Sequence, residues 1–328
     1  MISDPRINQI FERIEKTVLS SSFLGKGEAS TVLKILTDDG IYALKTALYP
    51  KRKDKVLNEA KFRKYFIEHG LECVPTPVYL DSDIFENGAV IYEYVDGVEP
   101  DFNVIENLKQ MALIVSQIHQ IEYEIIDDGF SQILQLYEFL EKTIQKISVE
   151  YSHLMNNSIQ SAFSRAINEY KVLLDDAMDK FTIGINAHLH GDLSNNCVID
   201  QNGKIWLIDW ENSEYGDIVE ELCWFLSVNE VSKENRVRFF QEYQNQFPQA
   251  QQIQFNEISR IYDMSTPVFN ICWGIDQMGT KLEHNLEPPD RKLSDLAISA
   301  REWSGFYSDS TSSLIIKGIK ELKKTLLG

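Results

Sequence analysis

The sequence has few cysteines, no excess of positive charge and no long apolar run, and each absence excludes a class of protein. Its four cysteines are far apart and lack metal-ligand spacing, so we expect reduced, mostly buried thiols at Cys73, Cys197, Cys223 and Cys272. With 32 basic and 50 acidic residues, the net charge of -18 argues against binding a nucleic-acid backbone. It mildly favours a cationic small molecule.

No stretch of about eighteen apolar residues is present, and the first residues, MISDPR, lack the basic start and apolar core of an export signal. We therefore expect a cytoplasmic protein that does not span a membrane. No internal repeat or low-complexity segment is present. The oligomeric state is left open.

Two aspartates flank a short predicted hairpin, and this ordered pair is the most informative feature present. Residues 190–196 read HGDLSNN, and residues 208–211 read IDWE. The residues between them, 198–207, form two apolar strand-like runs around an Asn-Gly turn, which would carry both carboxylates to one edge. Asp192 can then orient a hydroxyl group, and Asp209 can hold a metal ion, as a phosphate-transfer site requires. Either aspartate alone would mean little.

A glycine-containing loop, residues 24–32 (LGKGEASTV), lies between apolar strand-like runs. Gly25 and Gly27 permit close backbone approach, so the N–H groups of this loop, which also contains Ser30, can face phosphate oxygens. Lys45 follows in the alternating strand 41–45, which would place its ammonium group near those phosphates. An ordinary hairpin turn and a solvated lysine are the alternatives.

Residues 54–69 show the spacing of a helix face, and Glu59 falls within it. Residues 89–97 (AVIYEYVDG) indicate a buried strand that leads into a turn. A helical glutamate is often only a solubility group, but the order of glycine loop, strand lysine and helix glutamate favours a functional role.

Together these motifs resemble the aminoglycoside phosphotransferase and choline kinase family. Its catalytic loop is His-Gly-Asp, four variable residues and Asn, followed later by Ile-Asp-Trp/Phe-Glu, and residues 216–222 (GDIVEEL) resemble its Gly-Asp-Pro-x-x-Asp-Leu stretch. The resemblance implies an α+β, two-lobed protein-kinase-like fold. We expect a small strand-rich nucleotide-binding lobe at residues 1–95 and a larger, mainly helical catalytic and acceptor-binding lobe at residues 96–328. The apolar content of 43% suffices for two cores.

The resemblance further implies that ATP and Mg²⁺ serve the transfer of the γ-phosphate to a hydroxyl of a small molecule, aminoglycoside-like or choline-like. Lys45 would hold the α- and β-phosphates together with the glycine loop, and Glu59 would fix Lys45. The backbone of Glu93, Tyr94 and Val95 would bind adenine.

One departure from the family pattern concerns the second metal ligand. Counting from Asp192, the position expected to hold the asparagine is occupied by Cys197, while Asn196 comes one residue early. A thiol is a poor ligand for Mg²⁺. Either the second metal contact is lost, or the loop is one residue shorter. Residues 196–200 (NCVID) match the family's asparagine, three apolar residues and turn acid, so we expect Asn196 to join Asp209 as a metal ligand.

Apolar stripes with helical spacing predict further helices within residues 102–121, 133–147, 159–178, 234–247, 255–278 and 295–327. In one of them, Trp273 and Asp276 share a face and could bind an amine of the acceptor by cation–π and ionic contacts. Core packing of the tryptophan is the alternative. Two other functions stay open: an inactive nucleotide-binding regulatory module, which Cys197 motivates, and a protein kinase, which HGD in place of His-Arg-Asp disfavours.

Overall fold

The computed structural model describes residues 4–26, 30–177, 184–193, 196–247, 255–284 and 289–327. The helices within them are α1 (Pro5–Glu12), α2 (Lys53–Glu68), α3 (Ile105–His119), α4 (Gly129–Glu150), α5 (Asn157–Ala177), α6 (Ile218–Val228), α7 (Lys233–Gln244), α8 (Phe255–Glu283), α9 (Pro289–Glu302) and α10 (Asp309–Leu327). The strands are β1 (Val18–Lys26), β2 (Ser30–Thr37), β3 (Ile41–Ala47), β4 (Pro77–Asp81), β5 (Ala89–Glu93), β6 (Gly97–Val98), β7 (Glu124–Ile126), β8 (Gly184–Leu189), β9 (Cys197–Asp200), β10 (Ile205–Leu207) and β11 (Glu214–Asp217). The α+β class predicted from the sequence is confirmed.

The chain divides into two compact units. The first comprises residues 1–123, 187–221 and 228–252, and the second comprises residues 124–186, 222–227 and 253–328. The residues predicted to bind nucleotide, metal and hydroxyl belong to the first unit, whereas Trp273 and Asp276 belong to the second. The lobe boundary expected at residue 95 stays a prediction.

An antiparallel sheet of five strands, in the order β1-β2-β3-β5-β4, organises the start of the first unit. Because side chains alternate along a strand, Leu44 and Lys45 of β3 point to opposite faces. Leu44 and Ile91 pack with α1 in one buried cluster. Val90 and Tyr92 pack on the other face with residues of α2. Lys45, which pairs with Val90 across the sheet, is therefore directed towards α2.

Helix α2 buries a face spaced as a helix requires, and that face includes two charged residues. Its buried residues are Val56, Glu59, Ala60, Arg63 and Phe66. The spacing of three and four residues places all of them on one side. The predicted helix is confirmed, and Glu59 faces inward rather than solvent.

The second unit is mainly helical. Within it α4 packs on α8, α5 packs on α10, and α9 packs on both α8 and α10. A polar clasp joins α5 to the start of α10, because Glu169 accepts hydrogen bonds from the backbone N–H of Ser308 at 2.9 Å and from the hydroxyl of Thr311 at 2.5 Å. A short strand pair, β7 with the start of β8, places Glu124 opposite Asn186.

The structure departs from the expected helices in two places. Helix α1 was missed, although Asp4 caps it and Pro5 occupies its first turn, which are both helix-start signals. The stretch 295–327, expected to be mostly helical, holds the end of α9 and all of α10, and a 3₁₀ turn at Trp303–Gly305 with a fully buried Trp303 ring separates these two helices. No described helix is both long and apolar enough to cross a membrane.

Candidate active site

The predicted hairpin is confirmed, and its register brings the two halves of the candidate site together. Strands β9 and β10 pair antiparallel, with Leu207 opposite Cys197. One residue beyond this pair, the backbone N–H of Ile208 donates to the carbonyl of Asn196 at 2.8 Å. Asn196 is thereby held beside the segment that carries Asp209.

The loop that carries Asp192 requires its glycine. Gly191 has φ +81°, and a Cβ atom there would collide with the backbone carbonyl of Asn212. No L-residue with a side chain fits such a position without strain. The backbone N–H of Gly191 donates to Glu221 Oε1 at 2.6 Å. The structure thus explains why the motif reads His-Gly-Asp.

His190 is buried and stabilises this loop through hydrogen bonds. Its Nε2 lies 3.0 Å from the carbonyl oxygen of Ile208, and its Nδ1 accepts from the backbone N–H of Asp192 at 3.4 Å, which assigns the proton to Nε2. Burial lowers the pKa of His190, although Glu221, Asp209 and Asp192 act to raise it. A neutral ring with both nitrogens engaged fits a structural role better than a catalytic base. The ring therefore contacts the backbone of Asp192 and of Ile208, the residue before Asp209.

The geometry at Asn196 and Cys197 bears on the register of the second metal ligand. The side-chain amide of Asn196 donates to the carbonyl of Asp192 at 2.8 Å, which leaves its side-chain oxygen as the atom suited to a metal. Cys197 begins β9 and is buried, and this burial raises the pKa of its thiol to about 12. A buried neutral thiol is unsuited to Mg²⁺, so the geometry favours Asn196.

Lys45 lies at the centre of a cluster of carboxylates. Its Nζ is 2.7 Å from Glu59 Oε2, 2.6 Å from Asp209 Oδ1 and 3.0 Å from Glu211 Oε2. Only 4% of the Lys45 side chain is exposed. The expected pairing of Lys45 with Glu59 is present, and it is joined by the aspartate that follows the hairpin.

The charges in this cluster stabilise one another against burial. Burial alone would lower the pKa of Lys45, but Glu59, Asp209 and Glu211 outweigh it and raise the pKa above its ordinary value. Burial would likewise raise the pKa of Glu59, yet Arg63 and Lys45 lower it to about 2. Lys45 and Glu59 are therefore both charged across the range in which proteins work.

Glu211, the last residue of the IDWE motif, is a candidate metal ligand that was not predicted from the sequence. Carboxylate oxygens of Glu59, Asp209 and Glu211 lie within 4.8 Å of one another, and these hard oxygen donors suit Mg²⁺. Glu59 is committed to two cations, Lys45 and Arg63, which leaves Asp209 and Glu211 as the better ligands. Asp209 adopts the left-handed conformation with φ 61°, which is rare for a residue with a side chain and typical of functional sites.

Two of the three loop residues expected near phosphate are described. Gly25 lies near the end of β1 opposite Val32, and a Cβ atom there would meet nothing within 4 Å. Ser30 is buried as the first residue of β2. Gly27 lies outside the described residues.

The segment expected to bind adenine follows β5 directly. The backbone N–H of Glu93 donates to Thr76, and that of Tyr94 donates to Ile41 at 3.3 Å, so neighbouring strands fix the start of this segment. Val95 is half-buried. The assignment of these three residues to adenine stays a prediction.

Trp273 and Asp276 lie in α8, within the second unit, and each already contacts a lysine ammonium. The side chain of Trp273 is 46% exposed, so its interpretation as a core residue is wrong, and Lys292 Nζ lies 5.5 Å from the centre of its ring system. Asp276 Oδ1 lies 3.2 Å from Lys146 Nζ. Trp273 thus has a lysine of α9 beside it and Asp276 a lysine of α4, and their joint binding of an acceptor amine stays a prediction.

A small antiparallel sheet with a buried lysine–glutamate pair, followed by an aspartate loop and hairpin, defines a protein-kinase-like fold. The Phosphotransferase enzyme family profile matches residues 21–253. The chain belongs to this family, which confirms the resemblance seen in the sequence.

Individual relatives agree with this assignment. The Protein LicA homolog of Mycoplasma capricolum is 26% identical over 154 residues, which are 47% of this chain and 57% of that protein. The match thus spans little more than half of that curated relative's length.

Solved structures extend the likeness of fold to nearly the whole chain. The choline kinase LicA from Streptococcus pneumoniae is similar with a TM-score of 0.57 and 18% identity, over 98% of this chain and 99% of that one. Spectinomycin phosphotransferase APH(9)-Ia, solved with ADP and spectinomycin, is similar with a TM-score of 0.59 and 13% identity, over 94% and 97%. At these identities the likeness establishes the fold.

Proposed function

We propose that this chain is an ATP-dependent phosphotransferase that moves the γ-phosphoryl group to a hydroxyl of a small molecule. The observation that carries this proposal is the contact of Lys45 with both Glu59 and Asp209, at 2.7 and 2.6 Å. The contact between Lys45 and Asp209 joins the lysine proposed to bind phosphate to the aspartate proposed to bind the metal ion. Phosphoryl transfer asks a protein mainly for such positioning and charge neutralisation. The spectinomycin phosphotransferase with a similar fold was solved with ADP, which supports a nucleotide donor.

In this proposal Lys45 holds the α- and β-phosphates, and the glycine loop and residues 93–95 hold the rest of the nucleotide. Asp209, Glu211 and Asn196 hold Mg²⁺, which supplies charge neutralisation at the phosphates when bound. The oxygen donors of these three residues fit that ion, as the contacts of Asn196 and the carboxylate cluster indicate. In this arrangement the carboxylates would hold the metal ion next to Lys45, where both cations would neutralise the charge of the phosphates.

Asp192 orients the acceptor hydroxyl and receives its proton as the hydroxyl oxygen bonds to the γ-phosphorus, while the bond from that phosphorus to the bridging oxygen breaks and ADP leaves. Its backbone is fixed on both sides, since the carbonyl accepts from Asn196 and the N–H donates to His190. Because Gly191 is held by Glu221, the carboxylate starts from a rigid loop. Such preorganisation is what an acid–base group needs in order to act on a bound hydroxyl.

We propose a cationic acceptor, with an amine bound by Trp273 and Asp276. The net charge of -18 and the exposed ring of Trp273 support this choice, and an acceptor amine would replace Lys146 at Asp276. The similar folds of a choline kinase and a spectinomycin phosphotransferase are consistent with it. We further propose that the enzyme works in the cytoplasm on free small molecules rather than on nucleic acid or at a membrane.

The fixed loop that carries Asp192 argues against an inactive regulatory module, because nucleotide binding alone needs Lys45, Glu59 and Asp209 but not Asp192. ADP formation from ATP, measured across choline-like amines, amino sugars, neutral alcohols and peptides, tests the proposal. Turnover that depends on an added small alcohol, strongest with cationic ones, is expected. Nucleotide binding without turnover on any acceptor would point to the regulatory module, and turnover on peptides alone to a protein kinase.

A further inference from the structure

Arg63 is a buried cation that no part of the proposed chemistry uses. It lies one turn after Glu59 on the same face of α2, and only 4% of its side chain is exposed. Its Nη2 pairs with Glu59 Oε1, and its Nη1 donates to the carbonyl of Pro75 at 3.5 Å. The guanidinium carbon lies 3.9 Å from the centre of the Tyr92 ring. Three different contacts thus hold the guanidinium in one orientation.

Packing alone does not explain an arginine here. Apart from Glu59, the other buried residues of this face are apolar. The Nε of Arg63 is buried and has no hydrogen-bond partner among the described residues, which costs free energy. A buried ion pair commonly stabilises a fold no better than well-packed apolar residues would. The arginine therefore calls for a reason beyond stability.

The two oxygens of Glu59 are divided between two cations. Oε1 pairs with Arg63, and Oε2 pairs with Lys45. Lys45 also contacts Asp209 and Glu211, which are the carboxylates proposed to hold Mg²⁺. If Asp209 and Glu211 hold Mg²⁺ as proposed, Glu59 would be the carboxylate of this cluster that is left to pair with Lys45.

We propose that Arg63 is a positioning residue for phosphoryl transfer, which anchors Glu59 so that Lys45 keeps its place while its other partners change. This inference rests on the proposed function. Arg63 touches no substrate and acts only through Glu59. A planar guanidinium that is itself held by Pro75 and Tyr92 suits this task, because it directs Nη2 at one oxygen of Glu59 and leaves the other oxygen to Lys45.

The test compares Arg63→Met, Arg63→Lys, Glu59→Gln and the double variant Glu59→Gln/Arg63→Met with the wild-type chain. The readouts are ATP turnover, the dissociation constant of ADP without metal, and the melting temperature. Arg63→Met should lower kcat/KM for ATP at least about tenfold and weaken ADP binding, because Lys45 loses its alignment. Arg63→Lys, which keeps the charge but not the planar guanidinium, should restore only part of both. In the Glu59→Gln background, Arg63→Met should cause no further loss, since Arg63 acts through Glu59.

The matched control is Arg6→Met, because Arg6 also pairs with a carboxylate, Asp4, and stacks over a ring, Phe85, at 4.8 Å. It should leave turnover and ADP binding unchanged. If Arg63→Met lowered turnover and ADP binding equally in the wild-type and Glu59→Gln backgrounds, the inference would be overturned. Unchanged turnover and ADP binding in Arg63→Met would also overturn it, even if the melting temperature fell. A wild-type chain that binds ADP but turns over no ATP would contradict the proposed function. The dissociation constants of ADP for the wild-type chain and Arg63→Met would still show whether Arg63 positions Lys45.

Discussion

Glu221 accepts a hydrogen bond from the backbone N–H of Gly191 at 2.6 Å, so the first turn of α6 holds the residue that precedes Asp192. The other oxygen of Glu221 lies 2.8 Å from Nε2 of His119, whose Nδ1 lies 2.8 Å from the hydroxyl of Tyr243. All of these side chains are buried. The network anchors the loop of the candidate site to α3 and α7.

Replacing Glu221 should separate anchoring of the loop from folding of the chain. Glu221→Leu removes the acceptor for the Gly191 N–H and should lower kcat at least about tenfold, whereas Glu221→Gln keeps a carbonyl acceptor and should stay within a few-fold of wild type. ADP affinity should change little in either variant. Steady-state kinetics and calorimetry check this. Equal losses in the two variants would show that the charge of Glu221, not its hydrogen bond to Gly191, is what matters.

The shifted asparagine gives a second prediction. Asn196→Ala should raise the Mg²⁺ requirement of turnover sharply because it removes a metal oxygen, and Glu211→Gln should act in the same direction. Cys197→Ser should be nearly silent, since that side chain belongs to the buried start of β9. Titration of turnover with Mg²⁺ measures the effect. If Cys197→Ser raised the Mg²⁺ requirement more than Asn196→Ala, Cys197 would be the position that corresponds to the family's asparagine.

Much of the fold and of the site follows from local patterns in the sequence. The Asn-Gly hairpin, the strand of Lys45 and the helix of Glu59 were predictable because each has a clear period or turn signal. The pairing of Lys45 with Glu59 followed from the family resemblance. Helix α1 could also have been found from Asp4 and Pro5.

Other parts of the site depend on contacts between distant segments. Glu211 Oε2 lies 3.0 Å from Lys45 Nζ because the fold brings the segment after the hairpin next to β3. Hydrophobic periodicity within a short segment cannot predict such a long-range contact. The role of Arg63 was missed because a helical arginine is usually exposed. Its position four residues after Glu59, on a face otherwise apolar, was the available signal.

The acceptor prediction concerns Asp276. Asp276→Asn should raise the KM of a cationic acceptor and leave the KM of ATP unchanged, because only the ionic contact with the amine is lost. Trp273→Leu should act in the same direction through the lost cation–π contact. Exposed Glu321, which pairs with Lys317 and contacts neither acceptor residue, offers the control Glu321→Gln. Unchanged acceptor KM in Asp276→Asn, or equal activity on neutral and cationic alcohols, would contradict the role.

The clasp between α5 and α10 predicts a pH dependence of stability. Burial would raise the pKa of Glu169, but hydrogen bonds from Ser308 and Thr311 outweigh it and lower that pKa. A carboxyl group with a lowered pKa in the folded state stabilises above its unfolded pKa, and the contribution disappears as the pH falls through the folded value. The difference in unfolding free energy between wild type and Glu169→Gln should therefore shrink on acidification. Urea unfolding from neutral to acid pH measures it, and a constant difference would contradict the clasp.

The central claim is transfer of a phosphoryl group to a small-molecule hydroxyl with Asp192 as the orienting base. Its most direct measurement is mass spectrometry of acceptors incubated with ATP, Mg²⁺ and either the wild-type chain or Asp192→Ala. The wild-type chain should add one phosphoryl group to a cationic alcohol. Asp192→Ala should do so at least about a hundredfold more slowly while binding ATP nearly as well. An acceptor phosphorylated equally fast by both chains would contradict the account.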